Sequence, residues 1–339
     1  MRPITLILAL NCLILSAVAQ DGNHAASVSK SIDRGLAFLV KDALAWKAEH
    51  NCASCHHASL IVCAMREAKT RGHVVDETVL SDLTKWMAES GDGKFGMARP
   101  ETAPNAASPK AIFFALGVGS DPQPDAVLQS GLARLLSTVK SEQTADGSWV
   151  AWPATRPPIF GKSDESLSLL ATLALLPAAA LGEVDAIASR DKAVKWLTET
   201  KSDDDSQSIA LRVVLWIRLG RPTEESATLV HKLKQRQRDD GGWSQTSDLP
   251  SDGWATGQAL FALAHAGVKA NQESISGGQK FLIKTQQDDG SWAMTSRPTT
   301  PGGSGSTSLI PITGGGSAWA VWGLARTEEI SATVGSTGQ

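Results

Sequence analysis

The sequence has no tyrosine at all, yet 11 tryptophans in 339 residues. An aromatic inventory so tilted toward one residue places tryptophan at repeated positions. Cysteine is scarce as well, with four in the chain, of which Cys52, Cys55 and Cys63 lie beyond the N-terminal segment. Three cysteines cannot build a disulfide framework for a chain of this size. No basic stripe is interleaved with aromatics, and Lys+Arg 32 nearly balances Asp+Glu 35, which argues against a nucleic-acid partner. Past Ala19 the longest apolar run is Leu167 to Leu181, interrupted by Thr172 and Pro177. It is shorter than the roughly 20 residues a bilayer-spanning helix needs, so no membrane span is expected. No alternating strand pattern of useful length is present either.

The N-terminus reads as a secretory signal. Met1-Arg2 is positive, Ile4 to Val18 is almost wholly apolar, and Ala17-Val18-Ala19 supplies a small-x-small cleavage site. Cys12 lacks the small residues that a lipid-attachment site places before it. The expectation is an exported protein, periplasmic or extracellular, with residues 1–19 as signal peptide, 20–28 as linker, 29–328 as the domain and 329–339 as a tail.

The tryptophans reveal an internal repeat. "GLARLLSTVKSEQTADGSW" ends at Trp149, "HKLKQRQRDDGGW" at Trp243 and "GGQKFLIKTQQDDGSW" at Trp292. Each is an amphipathic helix, a glutamine, an acidic turn and Gly-x-Trp. "LTKWMAESGDGKFG" and "AVKWLTETKSDDDSQ" are degenerate copies, and "GLAFLVKDALAWKAEHNCASCHH" opens the series. A more apolar helix follows each: Cys55 to Lys69, Pro109 to Val118, Ser163 to Leu176, Ser206 to Leu219, Asp252 to Ala266, and Ser317 to Arg326. Ser251 or Asp252 can cap its helix and Gly267 can end it. Polar-faced first helices and apolar second helices predict outer and inner layers. Six such pairs predict an all-α (α/α)6 toroid.

The "QDDGSW" and "QRDDGGW" turns resemble the QW repeats of the squalene–hopene cyclase and protein prenyltransferase superfamily, and the resemblance spans Ser29 to about Arg326. It implies a structural role for Gln143, Trp149, Gln237, Trp243, Gln286 and Trp292, tying neighbouring outer helices together. The catalytic signatures of that superfamily are missing. The Asp-x-Asp-Asp-Thr motif of the cyclases has its nearest match in "KSDDDSQS", with Ser202 at the first aspartate position. Asp203 to Asp205 fall at a repeat turn and are expected to be solvated and to cap the next helix. Nothing after Cys63 can supply the cysteine of a prenyltransferase zinc site.

"EHNCASCHHASL" carries the other signal, a CxxCH motif at Cys52, Cys55 and His56. It resembles the haem-attachment motif of c-type cytochromes over five residues. That resemblance implies two thioether bonds and His56 as proximal iron ligand. Met97 is the candidate distal ligand, with His50 a second. A zinc site built on Cys52, Cys55 and His56 or His57 is the alternative metal reading, though only three ligands are at hand. A CxxC redox pair and plain packing stay open too. Cys63 is expected to be buried and inert.

If all the turns share one rim, Asp164, Glu165, Ser206, Gln207, Asp252, Trp254 and Thr256 should surround the same mouth as His56. They would form a cavity rim or a set of helix caps. The function this favours is an electron-transfer or haem-dependent role, with a redox partner protein. Two alternatives remain: a terpenoid-cyclase-like enzyme or binding module for a small apolar ligand, and a protein-interaction toroid without catalysis. No residue is assigned a catalytic role.

Overall fold

The structure is a computed structural model. It describes residues 4–50, 53, 55–90, 109–151, 158, 163–203, 205–295 and 310–329. Among them run twelve α-helices: α1 (Ile4–Glu49), α2 (Leu60–Thr70), α3 (Glu77–Glu89), α4 (Pro109–Gly119), α5 (Ala126–Ser141), α6 (Asp164–Ala180), α7 (Val184–Glu199), α8 (Ser206–Arg218), α9 (Thr223–Gln235), α10 (Gly253–His265), α11 (Glu273–Thr285) and α12 (Ile310–Thr327). A wide π-helical turn, Cys55–Ser59, leads into α2. Residues 20–28, expected as a linker, are helical and continuous with α1. Val28 is buried there and His24 bonds Gln279 at 3.0 Å, so tertiary contacts hold this stretch to the domain.

The even-numbered helices are the apolar ones, and they form the inner layer. Nearly every residue of α8 and α10 is buried, whereas α9 buries only Leu233. An apolar surface on all sides of a helix can be satisfied only between other helices. Each inner helix packs against the next, from α2 through α4, α6, α8, α10 and α12 and back to α2. The ring is therefore closed. Carboxylate or hydroxyl caps start its helices: Ser163 on α6, Asp205 on α8 and Asp252 on α10 accept the backbone N–H three residues on. Glycines end them. Gly182, Gly220 and Gly267 follow α6, α8 and α10 at φ +85, +64 and +75, where a Cβ would be strained.

Closest approach occurs between α10 and α12. A Cβ at Gly257 would collide with the Trp319 carbonyl, and one at Gly323 with the Gly257 carbonyl. The three Gly-x-Trp turns fasten the outer layer. Trp149, Trp243 and Trp292 are fully buried. Each indole N–H donates back to its own repeat's outer helix, to the carbonyls of Val139, Leu233 and Leu282 at 2.8, 2.7 and 2.8 Å. Burying about 200 Å² of indole at ~25 cal/mol per Å² is worth at most roughly 5 kcal/mol per turn.

The turn glutamines each span to the next outer helix. Gln143 donates to Ser189 of α7 at 2.8 Å and Gln237 to Ser274 of α11 at 3.0 Å. Gln286 donates to the Ser31 carbonyl of α1 at 2.9 Å, joining the last repeat to the first.

Candidate functional site

The toroid has two chemically different ends. At one, where the inner helices begin, lie the turns and the CxxCH stretch. At the other, where they finish, a cavity of about 330 Å³ opens between all six inner helices. Its wall is apolar, with Leu60, Leu173, Leu211, Phe261, Trp319 and Trp322 among the contributors. The helical period explains the lining. On α10, Phe261 and His265 face the cavity, as do Leu211, Val214 and Arg218 on α8, and Trp319, Trp322 and Arg326 on α12. These positions recur at i, i+3, i+4 and i+7, one stripe per helix.

The same stripes run on toward the turn end, where they carry several of the residues singled out from the sequence. Gln207 is one turn before Leu211, Trp254 two turns before Phe261, and His56 one turn before Leu60. All three are buried, at 4%, 1% and 3% exposure. None lines the 330 Å³ cavity, and neither do Asp164, Glu165 or Asp252. What those carboxylates do instead is structural. Glu165 accepts from Arg212 Nε at 2.8 Å and Nη2 at 2.5 Å, and also from Ser202 and the Asp203 amide. Arg212 also donates to the Leu197 carbonyl at 2.6 Å, locking α6, α7 and α8 together. Asp252 caps α10 and receives the Gln245 amide at 2.5 Å, while Asp164 accepts the Ala151 amide at 2.7 Å. Ser206 donates to the Ser244 carbonyl and Thr256 Oγ1 accepts the Trp243 amide.

At the turn end, hydrogen bonds pair Asp203 with Glu165, Ser206 with Ser244 and Gln245 with Asp252. It is a packed end among the described residues rather than a mouth. Asp205 is the cap expected of it, accepting from Ser208 at 2.9 Å. Asp203 and Asp205 are half-buried rather than solvated, and Asp204 lies outside the described residues.

Beneath the cavity floor the stripes leave polar atoms without a described partner. Both side-chain atoms of Gln207 and Gln258 and the indole N–H of Trp254 are of this kind. A buried polar group left unsatisfied costs about 1–3 kcal/mol, so such groups are normally met by ordered water or a ligand. The stacked indoles of Trp319 and Trp322, centroids 4.6 Å apart, present unspent N–H donors in the cavity wall itself.

Cys52 and Met97 lie outside the described residues, as does the Cys55 side chain. His56 is turned into the toroid. Its ring lies 4.4 Å from His57 and 5.6 Å from Trp46, and a Cβ on Gly315 would approach its own Cβ to 3.4 Å. His57, equally buried, bonds Asp42 of α1 at 2.5 Å and stacks on Trp46 at 4.2 Å. The exposed His50 stacks on Trp46 too, at 3.6 Å. Among the described residues no group of three or more His, Cys, Asp or Glu is placed to hold a metal ion. Cys63 is buried in the cavity wall, and burial pushes its thiol up to about 12, so it stays protonated and unreactive.

Sequence reasoning missed the cationic mouth. Arg66, Arg218 and Arg326 line it together with Glu67 and His265. Arg66 donates to Asp121 at 2.8 Å, and Glu67 accepts from both Arg326 and Arg71 at 3.2 Å. Burial, with the charges of Arg218 and Arg326 adding to it, drops the His265 pKa to about 4. Neutral His265 then donates Nδ1–H to the Phe261 carbonyl at 3.0 Å and offers Nε2 to Arg218 at 3.5 Å. The available signal was a stripe residue at each helix end: Arg66, Arg218, His265 and Arg326 each sit in the last turns of an inner helix.

No protein-family model matches the chain, and no curated protein matches it. Solved structures do match in fold. The type II terpene cyclase MstE from Scytonema, in complex with its substrate geranylgeranyl dihydroxybenzoate, superposes with a TM-score of 0.55 at 12% identity. The match covers 90% of this chain and 99% of that one. In the described helices no segment is long and apolar enough to cross a membrane. In fold, the chain is a terpene-cyclase-like α/α toroid.

Proposed function

We propose that the toroid binds a small apolar ligand in its central cavity. The observation that carries this is a single apolar cavity of about 330 Å³ contributed by all six inner helices, at the low end of the ~300–1,000 Å³ typical of ligand sites. At the roughly 30 Å³ that a water molecule occupies in the liquid, it admits at least about ten non-hydrogen atoms. A ten-carbon chain or monoterpene-sized skeleton fits that volume. The fold shared with a cyclase supports an apolar ligand, whereas the residues favour binding over alkene protonation. Glu67, the one carboxylate lining the cavity among the described residues, has its Oε1 engaged by two guanidiniums. Calorimetry with decanol, geraniol and geranylgeraniol tests the reading. Binding of decanol or geraniol is expected; binding of none of the three contradicts it.

The second reading is covalent haem c, and the CxxCH sequence of Cys52, Cys55 and His56 supports it. Bound there, a haem would supply redox chemistry, with the two thiols as attachment points and His56 as the iron ligand. It asks for the packing of Trp46, His57 and Gly315 on the buried His56 to open. Protein exported with a c-type maturation system, then analysed by intact mass and metal content, decides it. A haem adduct lost in Cys52→Ala supports this reading. The bare polypeptide mass rules it out, and bound zinc would establish the zinc alternative.

A further inference from the structure

We infer that the cavity ligand carries a single carboxylate and that Arg218 binds it at the mouth. This rests on the reading of the cavity as an apolar-ligand site and specifies the chemistry of the ligand's polar end.

Two of the three guanidiniums at the mouth are already paired with carboxylates. Arg66 is committed to Asp121 at 2.8 Å and to Thr84 at 3.1 Å. Arg326 is committed to Glu67, which it shares with Arg71. Arg218 has no carboxylate among the described residues, and its one hydrogen-bond partner is His265 Nε2, a neutral acceptor, at 3.5 Å. One acidic group therefore serves two guanidiniums while a third has none. Burial and, second to it, the charge of Arg326 weaken the hold of Arg218 on its proton, while Glu67 acts the other way from a distance without bonding it. A guanidinium placed against a like charge at the edge of an apolar cavity is stabilised by any anion that arrives.

Position selects the kind of anion. Arg218 ends the stripe Gln207, Leu211, Val214, Arg218, so its head lies directly above apolar wall. A ligand reaching it is amphiphilic, with its tail among Leu173, Leu211, Phe261 and Trp319 and its charge at the rim. The planar guanidinium fork matches a carboxylate through two parallel N–H···O bonds. One uncommitted guanidinium matches one negative charge better than the several charges of a diphosphate. The volume admits a tail of at least about ten atoms.

The test compares decanoate, decanol and decylamine on the intact protein near neutral pH by calorimetry, first on the wild type. Decanoate is expected to bind about tenfold tighter than decanol, the effect of one charge-assisted pair, and decylamine weakest. Arg218→Ala should bring decanoate to the decanol affinity and leave decanol unchanged, while Arg218→Lys should restore part of the preference. Equal binding of decanoate and decanol to the wild type overturns this inference and leaves the apolar-cavity reading standing. A preference that survives Arg218→Ala overturns the assignment to Arg218. Binding of neither ligand overturns both readings. The wild-type comparison is decisive even if Arg218→Ala fails to fold.

Discussion

The two ends of this toroid divide its labour. The turn end carries nearly everything conspicuous in the sequence: the Gly-x-Trp turns, the acidic caps and the CxxCH stretch. In the structure it is filled, with Trp149, Trp243 and Trp292 fully buried and Glu165 paired to Arg212. The opposite end is inconspicuous in the sequence, a scatter of single residues at the ends of six apolar helices. There the stripes diverge around an open apolar cavity beneath three arginines. The difference teaches that repetition marks what holds a repeat ring together. A binding site needs different residues on each repeat, so it leaves no periodic trace.

This contrast is sharpest under substitution of tryptophan. Trp243→Ala removes a fully buried indole and its bond to Leu233, and is expected to cost about 3–5 kcal/mol in urea unfolding. Trp322→Ala, in the half-buried cavity wall with an unspent N–H, should cost far less, about 1 kcal/mol. Equal losses would erase the distinction between a structural and a functional end.

Next in size is the Glu165–Arg212 pair. Glu165→Ala leaves a buried guanidinium without its carboxylate and should destabilise by about 3 kcal/mol. Glu165→Ala combined with Arg212→Met should recover most of that loss, since an apolar pair of similar volume is often neutral. Ligand affinity at the far end should not move in either variant. If Glu165→Ala abolishes binding while the fold survives, the rim carboxylates have a role at the site after all.

Acid probes the mouth. The folded pKa of His265, about 4, lies below its ordinary value of 6.5, so the neutral form is the one the fold favours. Its contribution to stability is complete above about 6.5 and is lost as pH falls toward 4. Melting temperature measured from pH 7 to 4 should drop, and His265→Gln should flatten the drop.

The smallest effect has the opposite sign. Glu328 and Asp33 hold His73 at 2.8 Å each, and Glu328 above all raises its pKa above 6.5. Stability from this contact is present below that value and lost as pH rises through the elevated folded pKa. Unfolding between pH 6 and 9 should show a loss of about 0.5 kcal/mol that His73→Gln removes, because Asp33 is largely exposed.

The fold was legible because its causes are local and repeated. The twelve helices follow from six copies of a polar-faced and an apolar helix, and Asp252 and Gly267 act as the cap and stop their positions imply. The inward stripe was partly legible too, since Gln207, Trp254 and His56 do face the interior. Their depth was not. Nothing in a single helix tells which of its turns meets the neighbouring side chains and which leaves a gap. That depends on how Trp319, Phe261 and Leu60, from three helices, fill the centre. Arg218 is an exposed, ordinary arginine until Arg66 and Arg326 are seen to be spent on carboxylates. The contact that holds 20–28 was illegible for a similar reason, because Gln279, some 255 positions away, bonds His24.

Everything proposed for the cavity requires ligand to bind at the helix-terminal end and not at the turn end. A crystal soaked with 10-bromodecanoate tests it most directly, because bromine marks the tail by its anomalous signal. The account predicts a bromine peak between Leu173, Phe261 and Trp319, with the carboxylate beside Arg218. A peak near Gln207 and Trp254 at the turn end, or an empty cavity at saturating ligand, would contradict it.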